Sequence, residues 1–123
     1  MRRFSGVLVA LALLGAAAPA LAERPASPAE KAAITKAIKR SLKQQGSPAA
    51  STVRVSSVKV STKNGHWAIA SVHARNAGAA SVALQRRRGA WKVRNLGTAQ
   101  VQCGIGMPKA VQKELFGSTN CRD

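Results

Sequence analysis

Residues 53–69 read VRVSSVKVSTKNGHWAI and carry the clearest strand pattern in the chain. Valines at 53, 55, 58 and 60 alternate with polar residues, which is the period of a half-buried β-strand. Asn64-Gly65 is the strongest short signal for a hairpin turn. A two-residue turn at this point pairs Val60 with Ile69. The resulting register predicts one shared apolar face, formed by Val58, Val60, Trp67 and Ile69.

The valine alternation slips by one position at Ser56-Ser57. A strand that continued without correction would turn Val53 and Val55 away from the core side. We therefore expect a β-bulge or bend at this point, which keeps Val53 and Val55 facing the same core.

A second hairpin is predicted further along the chain, with Val82 and Leu84 on its first strand. The turn lies around Arg88-Gly89, and Trp91 and Val93 belong to the returning strand. The two hairpins together predict a four-stranded antiparallel sheet with one covered face. Trp67 and Trp91 fit the inward positions of this arrangement, and we interpret both as core anchors rather than ligand-stacking residues.

The sequence Ser27-Pro28-Ala29-Glu30 predicts the start of an N-terminal helix. Ser27 suits the N-cap, Pro28 the first helical position and Glu30 the third, which completes a capping box. Four apolar residues then repeat at helical spacing, and Gly46 with Pro48 ends the helix. The repeating residues are Ile34, Ala37, Ile38 and Leu42. The basic residues on the other faces, Lys36, Lys39, Arg40 and Lys43, fit either a solvated helix exterior or a polyanion-binding surface.

The C-terminal segment predicts a short helix that starts near Pro108 and ends at Gly117. Met107, Val111 and Leu115 repeat at helical spacing in this segment. The chain has two cysteines, Cys103 and Cys121, and an even count in an exported protein indicates a disulfide. Closing a loop of this length stabilises the fold by about 3 kcal/mol. The predicted fold class is α+β: an N-terminal helix packed on the four-stranded antiparallel sheet, with a short C-terminal helix tied by one disulfide.

The first 22 residues have the three parts of a cleavable signal peptide. Arg2 and Arg3 form the positive start, an apolar run follows, and Ala20-Leu21-Ala22 supplies small residues at the cleavage site. The apolar run is shorter than the roughly 20 residues that span a bilayer. The expected organisation is therefore a signal peptide at 1–22, a linker at 23–26 and a single domain at 27–123, secreted or associated with a bacterial cell envelope.

The mature chain is strongly basic. The whole sequence has 20 basic and four acidic residues, and removal of Arg2 and Arg3 leaves 18 basic residues and a net charge of +14. The second hairpin concentrates this charge and is the predicted polyanion-binding site. The residues of that site are Arg86, Arg87, Arg88, Lys92 and Arg94. Such a patch can bind phosphate or carboxylate polymers through counterion release without reading a sequence.

Other kinds of site are poorly supported by the residue types present. No tyrosine occurs, and no acidic residue lies between Glu30 and Glu114, so a general acid or base has few candidates. His66 and His73 fall on opposite faces of a strand and lack a third ligand for a metal. We therefore expect a protein that is not an enzyme and needs no metal or other cofactor. Sequence-specific nucleic-acid binding is not expected either, because export separates the chain from cytoplasmic nucleic acid and stacking aromatics are few.

The end-strand pattern Gly89-Ala90-Trp91-Lys92-Val93, together with the element order, resembles the cystatin-like α+β roll shared with nuclear-transport-factor-like domains. Residues 67–121 are similar to a group of small secreted actinobacterial proteins of uncharacterised function. The shared motifs are Trp67-Ala68, Arg86-Arg87-Arg88-Gly89-Ala90-Trp91-Lys92-Val93, Leu96-Gly97-Thr98, and the cysteines that flank Pro108-Lys109-Ala110-Val111. These motifs are features of a fold, so the resemblance implies no activity and no catalytic residues.

Two functional hypotheses follow from these observations. In the first, the protein binds anionic polymers of the cell envelope or lipid headgroups at a membrane surface. In the second, it is a secreted protein-binding module, such as an inhibitor or a subunit of an envelope assembly, and its charge serves solubility. Polyanion binding should weaken steeply as salt rises, whereas a defined protein interface should survive moderate salt. The sequence gives no indication of the oligomeric state.

Overall fold

A computed structural model describes residues 23–75 and 78–121. The chain forms a short strand, a long helix, a 3₁₀ helix, four further strands and a second helix. In chain order these elements are β1 (Arg24–Pro25), α1 (Pro28–Gln44), the 3₁₀ helix (Pro48–Ser51), β2 (Arg54–Val60), β3 (Trp67–Ala74), β4 (Gly78–Arg87), β5 (Ala90–Gly97) and α2 (Lys109–Phe116). The predicted signal peptide, residues 1–22, lies outside the described residues.

Helix α1 forms as the sequence predicts. The Ser27 hydroxyl accepts the Glu30 backbone N–H at 3.1 Å, and the Glu30 carboxylate accepts the Ser27 N–H at 2.9 Å. This reciprocal capping box satisfies two N–H groups that lack partners inside the helix. The buried residues of α1 are the four predicted from the helical spacing, Ile34, Ala37, Ile38 and Leu42.

The strands form one antiparallel sheet in chain order, from β1 at one edge to β5 at the other. The sheet therefore has five strands, where the sequence predicted four. The additional strand is Arg24–Pro25, which lies within the segment predicted as a linker. It pairs with Val60 and Lys59 of β2. Two residues are too few for an alternating pattern, so this strand leaves no signal in the sequence.

The predicted β-bulge in β2 is confirmed. The pairing of β2 with β3 shifts between Val55 and Ser57, and Ser56 is the additional residue. The Ser56 hydroxyl donates to the Ser71 carbonyl oxygen at 3.2 Å. With the phase restored, all four valines of this region join one apolar cluster: Val53, Val55, Val58 and Val60.

The predicted register of the first hairpin is wrong by one residue. Val60 pairs with Ala68 rather than Ile69. A shift of one position moves every side chain of a strand to the opposite face. Trp67 and Ile69 consequently lie on the face opposite Val58 and Val60, instead of sharing it with them.

The loop between β2 and β3 explains this register. The Trp67 N–H donates to the Asn64 carbonyl at 3.1 Å, so Gly65 and His66 are the central residues of the turn. The Asn64 side chain also accepts the His66 N–H at 3.1 Å, which is an Asx-type turn. The expected two-residue Asn64-Gly65 turn does not form, because the loop is wider and closes on different hydrogen bonds.

The second hairpin has the predicted turn. Arg87 pairs with Ala90, and the two turn residues, Arg88 and Gly89, both have positive φ, at 54° and 79°. Positive φ at both central residues is the requirement of a type I′ turn, whose twist matches that of the strands. The β4–β5 pairing shifts next to Leu84, so that Arg94 is an additional residue in β5. This second bulge was not predicted.

Both faces of the sheet are covered, so the prediction of a single covered face is wrong. One cluster lies under α1 and includes Ile34, Ile38, Val82, Leu84 and Trp91. The other lies under α2 and the segment before it, and includes Trp67, Ala83, Val101, Met107, Val111 and Leu115. The two tryptophans are buried, as expected of core anchors, but in different cores.

The C-terminal segment agrees with its prediction. Cys103 and Cys121 form a disulfide, with Cα atoms 5.7 Å apart. Gly117 ends α2 in the left-handed conformation at φ 72°, which favours glycine. The disulfide encloses α2 and holds it against the sheet. No helix in residues 23–75 or 78–121 is long and apolar enough to cross a membrane.

Candidate anion-binding surface

The tip of the β4–β5 hairpin carries three of the five predicted site residues on one surface. Arg87, Arg88 and Lys92, with Ala90, line a shallow depression of about 440 Å³. All three basic side chains are exposed. The tight turn places Arg87 and Lys92 on the α2 side of the sheet and projects Arg88 from the end. We call Arg87, Arg88 and Lys92 the hairpin surface.

The other two predicted site residues each lie over a buried tryptophan. The Arg86 guanidinium carbon is 5.8 Å from the centre of the Trp91 ring, on the α1 side of the sheet. The Arg94 guanidinium carbon is 5.9 Å from the centre of the Trp67 ring, on the α2 side. Arg94 also donates to the Gln85 side-chain oxygen. These distances are typical of cation–π contacts, worth about 0.5–1 kcal/mol at exposed sites.

The five predicted residues therefore do not form one patch. Arg86 and Arg94 cover the edges of the two cores on opposite faces, and this packing gives each a structural role. Arg87, Arg88 and Lys92 of the hairpin surface make no cation–π contact of this kind with the described residues. The difference arises from the bulge at Arg94 and from the alternation along β4.

Helix α1 contributes a residue that was not assigned to the site. A groove of about 200 Å³ runs between α1 and β5, next to the hairpin surface. Arg40, Ser41 and Gln44 line its helix side, and Trp91, Lys92 and Val93 line its strand side. Arg40 was grouped with the other basic residues of the helix exterior. Its position three residues after Ala37 is compatible with the edge of the buried face, but the pairing of α1 with β5 is a tertiary feature that no local pattern reveals.

The acidic side chains at the N-terminal edge of the sheet are engaged in internal contacts. Glu30 accepts two hydrogen bonds from the Arg24 guanidinium, at 2.8 and 2.7 Å. These bonds, with those from Ser27, lower the pKa of Glu30 to about 2. Glu23 lies 3.6 Å from the Lys59 ammonium. Both carboxylates are therefore occupied by cations far from the hairpin surface.

Glu114 projects from α2 onto the β2–β3 loop and binds no cation there. Its carboxylate accepts the hydroxyl hydrogens of Ser61 and Thr62 and the Thr62 N–H, the last at 2.8 Å. Partial desolvation raises the pKa of Glu114, but these hydrogen bonds outweigh it and hold the pKa below its ordinary range. The contact fixes the loop that sets the register of β3.

Within residues 23–75 and 78–121, Arg24 and Lys59 are the only basic side chains that form ion pairs with carboxylates. The hairpin surface consequently presents positive charge that no carboxylate of the described chain neutralises. This arrangement can attract phosphate and carboxylate groups, whose oxygens match the donors of exposed guanidinium and ammonium groups.

The two histidines are in separate places: His66 in the β2–β3 loop and His73 near the end of β3. Over the described part of the chain, no cluster of three or more His, Cys, Asp or Glu residues could hold a metal ion.

No family model matches the chain, and neither the curated proteins nor the solved structures include a match. The resemblance to the cystatin-like roll and to secreted actinobacterial proteins therefore stays a prediction based on the sequence motifs.

Proposed function

We propose that the protein is an exported, non-enzymatic domain that binds anionic polymers or lipid headgroups of a bacterial cell envelope through the hairpin surface. The observation that carries this proposal is the convergence of Arg87, Arg88 and Lys92 on one depression that no carboxylate of the described residues lines. The disulfide between Cys103 and Cys121 is compatible with an exported protein.

The charge distribution supports a role beyond solubility. Positive charge spread evenly over the chain would serve solubility equally well. Here three cations adjoin a type I′ turn, where their charges repel one another. A polyanion relieves this repulsion and releases its own condensed counterions.

The first experiment measures binding of the oxidised mature chain, residues 23–123, to anionic vesicles, wall polymer and duplex DNA over a range of salt concentrations. Three phosphate contacts predict a slope of about −3 for log affinity against log salt on duplex DNA. Neutral vesicles are the control for apolar binding.

A pair of triple variants tests the hairpin surface. The first is Arg87→Gln with Arg88→Asn and Lys92→Gln; asparagine is chosen because it tolerates the positive φ of residue 88. The matched control is Lys36→Gln with Lys39→Gln and Lys43→Gln, which removes the same charge from the exposed face of α1. We expect the first variant to reduce both affinity and salt slope far more than the control.

Two outcomes would count against the proposal. Equal losses in both variants would mean that net charge, not the hairpin surface, determines binding. Binding that resists salt and ignores both variants would favour the alternative, a protein-binding module whose charge serves solubility.

A further inference from the structure

A second basic depression lies at the opposite end of the sheet. It has a volume of about 420 Å³ and is formed where the 3₁₀ helix leads into β2 and where β3 ends. Its lining residues are Ser51, Thr52, Val53, Arg54, His73 and Arg75. Three of the six are basic residue types and none is acidic.

The strand register places this depression far from the hairpin surface. Trp67, at the start of β3, pairs with Gln85, which in turn pairs with Lys92. His73 lies six residues further along the same strand. At about 3.3 Å per residue, the two basic regions are separated by about 20 Å. They are therefore two sites rather than parts of one patch.

The pairing of β2 with β3 brings the basic residues together. Arg54 and His73 are direct cross-strand partners, and side chains at such positions have Cβ atoms about 5 Å apart. Arg75 follows the end of β3 and reaches the same depression. The guanidinium groups of Arg54 and Arg75 bring like charges into one depression, where they repel each other, and none of its lining residues is acidic.

A bound anion removes that repulsion. Two guanidinium groups form a pair of planar donor forks, which match the oxygens of phosphate better than an ammonium does. The imidazole of His73 and the hydroxyl of Thr52 add further polar groups at the rim. The depression has about the same volume as the one at the hairpin surface, 420 against 440 Å³, so the residue types of its lining rather than its size favour a compact phosphate group.

We propose that the Arg54–His73–Arg75 depression, called the phosphate pocket below, binds a single phosphate group, either free phosphate or a phosphomonoester. The site was not recognised from the sequence, because its residues come from two segments about 20 positions apart that only the bulged β2–β3 register brings together.

Titration calorimetry with inorganic phosphate and with glycerol phosphate tests the proposal at about 0.15 M chloride, where nonspecific attraction is screened beyond roughly 8 Å. The test variant is Arg54→Gln with Arg75→Gln. The matched control is Arg87→Gln with Lys92→Gln, which removes the same charge from the hairpin surface. We expect the first variant to weaken phosphate binding at least tenfold and the control to change it less than twofold.

Amide chemical shifts provide a second readout that does not depend on affinity alone. Phosphate should shift the amide resonances around residues 51–54 and 73–75 in a saturable way, and acetate at the same concentration should not. If the double variant folds poorly by circular dichroism, Arg75→Gln alone replaces it, because Arg75 lies outside the strand. The ratio of the two ligand affinities identifies which phosphate source the pocket prefers.

Three results would overturn the proposal: no saturable binding of either ligand, equal loss in the two double variants, or shifts confined to the hairpin surface. Absence of phosphate binding would leave the polymer proposal untouched, because polymer binding is measured with different ligands. Shifts confined to the hairpin surface would overturn the phosphate pocket and support the hairpin surface as an anion site. The two proposals can therefore fail separately.

Discussion

Replacement of Glu114 tests whether α2 holds the β2–β3 loop in its observed register. The Glu114 carboxylate is the acceptor for the Ser61 hydroxyl and for two donors of Thr62. Ser61 is only 1% exposed, and its oxygen in turn accepts the backbone N–H groups of Lys63 and Asn64. One carboxylate thus orders four consecutive loop residues.

The magnitude follows from these contacts. A buried hydroxyl that loses its acceptor costs about 1–3 kcal/mol, and the more exposed Thr62 bonds add about 0.5–1 kcal/mol. Glu114→Ala should therefore lower the free energy of unfolding by about 1.5–4 kcal/mol. Glu114→Gln keeps one acceptor oxygen but loses the charge, so we expect about 1–2 kcal/mol, or a fall in Tm of about 5–15 °C for a domain of this size.

Thermal and urea unfolding at pH 7 measure these differences. The matched control is Glu23→Gln, which removes the same charge from the 3.6 Å pair with Lys59 and should cost less than about 0.5 kcal/mol. A double-mutant cycle with Thr62→Val should give a coupling energy above about 0.5 kcal/mol. The reasoning fails if Glu114→Gln behaves like Glu23→Gln, or if the cycle shows no coupling.

Acidification should reveal the same contact. The pKa of Glu114 lies below its ordinary value in the folded chain. Its contribution to stability is therefore present above about pH 4.3 and is lost as the pH falls below that value. Glu114→Gln should remove part of the dependence of Tm on pH in this acidic range and leave the dependence above pH 5 unchanged.

Two further predictions concern the ends of the chain. The pKa of Glu30, about 2, means that its contacts with Arg24 and Ser27 contribute fully above about pH 4.5 and weaken as the pH falls toward 2, where half of the carboxylate is still ionised. Glu30→Gln should cost about 1–2 kcal/mol at pH 7 and much less at pH 2, as measured by chemical unfolding at the two pH values. Reduction and alkylation of Cys103 and Cys121 should cost about 3 kcal/mol, because the bond closes a loop across 18 positions, and an unchanged urea midpoint would contradict this prediction.

Local signals were sufficient for the helices and the turn of the second hairpin. The N-terminus of α1 depends on Ser27, Pro28 and Glu30, which act within one helical turn. The end of α2 depends on Gly117, and the β4–β5 turn on Gly89. In each case the stabilising contact lies within a few residues, so the sequence pattern contains it.

The loop of the first hairpin combines local hydrogen bonds at Asn64 with a contact to Glu114 that the local pattern does not contain. Asn64-Gly65 favours a two-residue turn when the loop acts alone. Glu114 lies 52 residues from Thr62 in the sequence and binds the loop only after α2 has docked on the sheet. The shift of one residue places Trp67 on the second face of the sheet, where it joins the core under α2. The prediction of a single covered face had assigned no core to that side.

The arrangement of the candidate site was only partly evident from the sequence, because it too depends on contacts between segments that are distant in the chain. Charge density along residues 86–94 identifies a basic hairpin, but alternation and the bulge distribute its side chains over two faces. Arg40 and the phosphate pocket depend on pairs of elements, α1 with β5 and β2 with β3. Composition identifies the excess of positive charge, whereas the strand register determines which basic side chains line a common depression.

The positions of the few acidic residues help to explain why the positive charge of the two basic depressions is not neutralised within the described chain. In the described residues each carboxylate contacts a structural element: Glu30 the start of α1, Glu23 the Lys59 side chain of β2, and Glu114 the β2–β3 loop. None lies at the hairpin surface or lines the phosphate pocket. A carboxylate placed at the hairpin surface or in the phosphate pocket would offset part of the positive charge there. If that carboxylate were taken from its present position, a structural contact would be lost as well. The electrostatic stability of the fold and the availability of its two basic depressions for anions therefore follow from the same placement of three carboxylates.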